Sequence, residues 1–150
     1  MSTVTSNGFL TTKPFLPFTA PMTKTLAPFT EPMLRATAGL FMVPHGAQKL
    51  FGWFGGYGLD ATGQFFATKL GLPASLALVV GLIEFVGGFL LALGFLTRPI
   101  AALAFGLMAG AVVSVHLGSG FFWTSGGYEY PLMWAILALA FVVRGGGRYS

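Results

Sequence analysis

The chain has 150 residues, of which 55% are hydrophobic and only 8% are charged. Eight Lys/Arg and four Asp/Glu cannot coat a soluble globule, where about 25% of residues carry charge, and a mean hydropathy of +0.78 reads as an integral membrane protein. The absence of cysteine excludes thiolate nucleophiles, disulfide exchange and Cys-ligated metal centres, and the basic residues behind the net charge of +4 are scattered singly, which argues against a nucleic-acid partner.

Residues 1–32 form a Thr/Pro-rich arm holding eight of the thirteen threonines and five of the nine prolines. Prolines at this density predict no helix through the arm. It contains an imperfect repeat: Pro17-Phe18-Thr19-Ala20-Pro21-Met22 recurs as Pro28-Phe29-Thr30-Glu31-Pro32-Met33.

From residue 33 the chain reads as four spans, about 33–53, 74–97, 99–118 and 131–146. Each approaches the ~20 residues needed to cross a ~30 Å hydrocarbon core. Pro32, Pro73, Pro99 and Pro131 sit where the spans begin, and a first-turn proline loses no helical hydrogen bond. The fold expected is all-α, a transmembrane four-helix bundle with an irregular N-terminal arm. Lys13, Lys24, Arg35, Arg98, Arg144 and Arg148 fall on one side, and Lys49 and Lys69 on the other. The positive-inside rule then puts both termini in the cytoplasm of a cell-membrane protein. On the third span, Ala102, Gly106, Gly110, Ser114 and Gly118 recur every four residues. Such a stripe is expected to pack against another helix of the bundle, with a homo-oligomer contact as the alternative.

The polar residues inside the spans are costly and need a reason. At ~1.5 Å per residue, His45 and Glu84 fall at nearly the same depth, with Gln48 and Lys49 above them. His116 and Glu129 lie nearer the outer surface. His45, Gln48 and Lys49 share a helix face at i, i+3 and i+4, and Pro44 frees the Leu40 carbonyl just before them. One reading makes Glu84, His45 and Lys49 a catalytic or proton-handling cluster. The other makes them a buried network that only fixes the bundle. Gln48, His116 and Glu129 are candidate substrate contacts, and the column suits the polar head of a quinone with Phe and Trp rings beside it, Trp123 among them. Two axial histidines on one haem iron do not fit, because His45 and His116 differ in depth by about 10 Å. The sequence offers no set of metal ligands. The Gly/aromatic connections around Gly52–Gly58 and 118–130 read as interfacial belts, and the second could fold over the column as a lid.

These features resemble the DoxX family of small bacterial and archaeal membrane proteins. The resemblance rests on His45-Gly46-Ala47-Gln48-Lys49, Gly71-Leu72-Pro73, Glu84 with Gly87-Gly88, and Leu93-Gly94-Phe95-Leu96-Thr97-Arg98. It continues through His116, Gly126-Gly127-Tyr128-Glu129-Tyr130-Pro131 and Gly145-Gly146-Gly147-Arg148-Tyr149-Ser150, and so covers residues 33–150. The resemblance implies an oxidoreductase-linked membrane subunit, quinone-associated, acting alone or with a partner protein that brings the redox centre. A non-redox membrane protein, either a small proton-coupled exporter or an assembly subunit, is the alternative expectation.

Overall fold

The computed structural model describes residues 18, 20–147 and 150. Among them there are five α-helices and no strand: α1 Ala20–Phe51, α2 Gly58–Lys69, α3 Leu76–Leu93, α4 Thr97–Ala111 and α5 Glu129–Arg144. A π turn over Val112–His116 and a 3-10 turn over Leu117–Ser119 extend α4. Leu76–Leu93 and Thr97–Ser119 are long and apolar enough to cross a membrane, with mean hydropathies of 2.5 and 2.1. Their apolar side chains are turned outward: Leu78, Val79, Leu82, Val86, Phe89, Leu103 and Val113 are all exposed. Apolar patches of that size on a bundle surface are what lipid covers.

Two boundaries depart from the sequence expectation. The helix expected from residue 33 starts at Ala20 and runs through Pro28, Pro32 and Pro44, so no irregular arm occupies residues 20–32; the rest of the expected arm, apart from Phe18, lies outside the described residues. Each interior proline removes one backbone hydrogen bond, and all the bonds between them remain available to hold the helix. The connection after α1 is not a simple loop either, because it contains α2. The remaining spans shift by a few residues at each end. Pro99 and Pro131 are the third residues of their helices, still within the first turn where the missing N–H has no helical partner.

Glycine and alanine set the packing. In α1, Ala38, Gly39, Met42, Gly46 and Ala47 are buried; Gly39 and Met42 meet Gly88 of α3, and Gly46 meets Gly81 and Phe85. A Cβ on Gly39 would run into the Gly88 carbonyl oxygen, and it would lie 2.5 Å from the Ala92 nitrogen. The two backbones therefore touch. The core proper is Ala38, Met42, Leu91, Ala101, Ala104, Ala138 and Phe141, joining α1, α3, α4 and α5.

The α3–α4 hairpin is closed by Gly94 at φ 82°. Its left-handed conformation lets the Phe95 N–H reach back to the Leu90 carbonyl at 2.9 Å, as in a Schellman stop. At this end of the bundle the buried Arg35 donates from Nη1 to the Gly146 carbonyl at 2.7 Å, and Ser150 Oγ donates to the Gly94 carbonyl at 3.0 Å. Thr97 and Ser150 hydroxyls bond at 2.7 Å, and Arg144 pairs with Glu31 at 2.6 Å.

Among the described residues, the small-residue stripe on α4 does not lie against another helix. Ala102, Gly106, Gly110, Ser114 and Gly118 are exposed, and a Cβ on Gly106, Gly110 or Gly118 would meet nothing within 4 Å. The reason is that α4 packs through its other face, Ala101 and Ala104, onto Ala138 and Phe141.

Candidate functional site

Lys49 lies in the last turn of α1 and Glu84 in the middle of α3. Each has a glycine three residues earlier, Gly46 and Gly81, on the contact face. A Cβ on Gly46 would sit 2.8 Å from the Gly81 carbonyl oxygen, and one on Gly81 would sit 2.5 Å from Leu50 Cδ2. This close approach brings the two side chains together: Lys49 Nζ donates to Glu84 Oε2 at 2.6 Å. The carboxylate belongs to a residue only 5% exposed, whereas the Lys49 side chain keeps 27% of its surface. A buried carboxylate needs such a counter-charge, since desolvating it alone costs several kcal/mol.

The pair opens on a cavity of about 590 Å³, within the ~300–1,000 Å³ usual for small-molecule sites. Gln48 and Lys49 line it from α1, and Leu76, Val80 and Glu84 from α3. Gly106, Gly110, Ser114 and His116 line it from α4 and its π turn, so the stripe supplies a wall of the cavity. The roof is α2, whose Thr62, Phe65, Phe66 and the following Leu70 point inward. Their spacing at i, i+3/i+4 and i+8 is the face of an amphipathic helix. Gly63 is buried against Ala74, where a Cβ would meet the Ala74 carbonyl at 3.2 Å, and this contact seats α2 on the start of α3.

The expected column of polar residues divides in two. Gln48, Lys49, Glu84 and His116 share the cavity, while His45, Glu129 and Trp123 do not line it. His45 is exposed. Gly46 and Ala47 are the buried residues at that level of α1, and the long Lys49 stem can reach around the helix where the short imidazole cannot. Gln48 Nε2 donates to the Phe54 carbonyl at 3.2 Å, which holds the Trp53–Gly55 turn over the cavity edge. His116 Nδ1 lies 2.7 Å from the Gly126 carbonyl. A carbonyl only accepts, so Nδ1 is the donor. Glu129 Oε2 accepts the Trp123 backbone N–H at 3.2 Å, and the Trp123 and Tyr130 rings meet edge to face at 5.5 Å. These last contacts shape the 118–130 connection itself.

The site therefore offers a deep ion pair, a second polar group at His116, and apolar walls between them. Glu84 lies eight residues into the 18-residue α3, about 12 Å from its start and so near mid-membrane if α3 spans. The arrangement can hold a ring or chain along the walls while its polar atoms bond to Lys49 and Glu84.

The DoxX family model matches residues 32–117 of the chain, which includes Lys49, Glu84 and His116. A protein of Bacillus subtilis (strain 168) named "Putative oxidoreductase CatD" is 32% identical over 107 residues, covering 71% of this chain and 74% of that protein. No solved structure matches the chain. By both the family match and this relative, the chain belongs to the DoxX family, a family of membrane proteins.

Proposed function

We propose that the chain is a multi-pass protein of the prokaryotic cell membrane that binds a quinone-type ring in its cavity, as a redox-associated subunit. Four spans, α1, α3, α4 and α5, would cross the bilayer with both termini in the cytoplasm. The observation that carries this reading is the Lys49–Glu84 ion pair at 2.6 Å facing a mainly apolar cavity of about 590 Å³. The name of the Bacillus subtilis relative supports a redox role.

The residues fit such a ring. Lys49 can donate to a ring oxygen, Glu84 can accept from a ring hydroxyl, and Phe65 and Phe66 offer aromatic faces. The bound ring supplies the electron-carrying chemistry, and electrons reach it from a partner protein. The chain's own residues orient the ring, exclude water with the α2 roof, and present Glu84 as the group that holds a proton beside a ring oxygen.

The test is direct binding. Protein purified in mild detergent is extracted for bound small molecules by mass spectrometry, then titrated with menadione and menadiol, and the titration is repeated with Glu84→Gln. The expected result is a co-purifying quinone-class molecule and menadiol affinity weakened about tenfold or more by Glu84→Gln. No quinone-class molecule and no saturable binding of either probe would overturn the reading.

A further inference from the structure

The Lys49–Glu84 pair constrains what can bind, because its two charges lie 2.6 Å apart and sum to zero. An ion entering the cavity would meet attraction from one partner and an offsetting repulsion from the other. The two contributions largely cancel, and the cost of removing the ion from water is not recovered. Apart from His116, the rest of the lining has no Asp, Glu, Lys or Arg: it is Phe65, Phe66, Leu76, Val80 and the α4 glycines, with Gln48, Tyr57, Thr62 and Ser114 as its uncharged polar groups. An uncharged ligand does not incur that cost.

Hydrogen bonding narrows the class further. An ammonium has three N–H donors and a carboxylate about four acceptor sites, so the mutual bond leaves capacity on both. The two ends are complementary: Lys49 only donates and ionised Glu84 only accepts. A head that only accepts can satisfy Lys49 but turns lone pairs toward Glu84. A hydroxyl satisfies both, donating its hydrogen to Glu84 and accepting from Lys49. A hydrogen bond to a charged group contributes roughly tenfold or more in affinity.

We propose that the cavity is a neutral-hydroxyl site, with the Lys49–Glu84 pair selecting uncharged amphiphiles that carry an aromatic or alcoholic O–H and rejecting both ions and donor-free analogues. The inference rests on the quinone reading only for its location. Applied to that reading, it assigns the reduced, hydroxyl-bearing ring as the tighter-binding form.

Three probes of one ring size test it at pH 7: 2-naphthol (neutral, one O–H), 2-methoxynaphthalene (neutral, no donor) and 2-naphthoate (anion). Binding is measured by equilibrium dialysis against protein in lipid nanodiscs, with empty nanodiscs subtracting partition into lipid. Wild type is expected to hold 2-naphthol at least about tenfold more tightly than either other probe. Glu84→Gln leaves the lysine charge uncompensated and should raise 2-naphthoate affinity at least about tenfold. The Lys49→Met/Glu84→Gln double variant is again neutral and should lose that gain, with 2-naphthol falling to the level of 2-methoxynaphthalene.

Equal wild-type affinity for 2-naphthol and 2-naphthoate, or a Glu84→Gln variant that does not gain on 2-naphthoate, overturns the proposal. If Glu84→Gln does not fold, the wild-type ratios and the double variant still decide. The two readings fail separately. Selective naphthol binding with no quinone-class molecule bound defeats only the quinone reading, whereas quinone binding without charge selection defeats only this one.

Discussion

Removing one member of the central ion pair should have unequal consequences on the two sides. Glu84 is the buried partner and Lys49 the accessible one, with side chains 7% and 27% exposed. Lys49→Met strands a carboxylate that no water readily reaches, and breaking a buried pair this way costs ~3–5 kcal/mol. Glu84→Gln leaves an ammonium that can turn toward the cavity mouth, so its cost should be clearly smaller. Thermal unfolding in detergent should therefore rank wild type above Glu84→Gln and Glu84→Gln above Lys49→Met; the opposite order would mean that Lys49, not Glu84, is the desolvated charge. At this scale the sequence was partly legible. A lone carboxylate in an apolar run marks Glu84, and helical spacing brings Gln48 and Lys49 to it. The same spacing also recruited His45, because an i+4 relation says which residues share a face and not how far each side chain reaches.

Among the helices, the glycines divide into two kinds that composition does not distinguish. Gly39 lies where α1 and α3 backbones touch, and the atoms a new methyl would strike there are backbone atoms of Gly88 and Ala92. Gly39→Ala gains up to ~1 kcal/mol of helix propensity but must push two helices apart, at ~1–3 kcal/mol or more. It should lower the melting temperature. Gly110 is also in a helix, yet a Cβ there meets nothing within 4 Å. Gly110→Ala keeps the propensity gain without the clash, so it should be neutral or slightly stabilising in the same assay while narrowing the cavity. A periodic stripe on α4 reads in sequence as a packing face, but periodicity records only that the residues are aligned. What faces them depends on where α2 comes to rest, and the 12 residues of α2 are too short and too polar to announce themselves as a helix in an apolar chain. Proline density in the N-terminal arm misled for a related reason. Eleven residues return a helix to within about 20° of the same face, so Met22 and Met33 of the repeat align on an α1 that proline content argued against.

For the molecule as a whole, hydropathy and geometry disagree about how many helices cross the membrane, and geometry gives the stronger argument. Among the described residues, by length and apolarity α3 and the extended α4 alone qualify: Arg35, His45, Gln48 and Lys49 interrupt α1, and α5 has 16 residues. Yet α1 lies antiparallel along most of α3: Arg35 packs on Gly94, Gly39 on Gly88, and Gly46 and Leu50 on Gly81. If α3 crosses the bilayer, α1 crosses beside it. At 32 residues α1 is about 48 Å long, so roughly 18 Å of it projects beyond a ~30 Å core. The projecting end is the basic one, carrying Lys24 and lying beside Arg35, Arg98 and Arg144, and the opposite end carries Lys69 of α2. In the proposed topology, the positive-inside rule would put Thr25 in the cytoplasm and Gln64 outside. Both residues are exposed, and a chain without cysteine needs no background removed before single cysteines are introduced. In intact cells a membrane-impermeant maleimide should label Gln64→Cys at once and Thr25→Cys only after permeabilisation. The reverse pattern would invert the topology, and labelling of both from outside would show that α1 does not cross, which would also take the Lys49–Glu84 pair out of the bilayer.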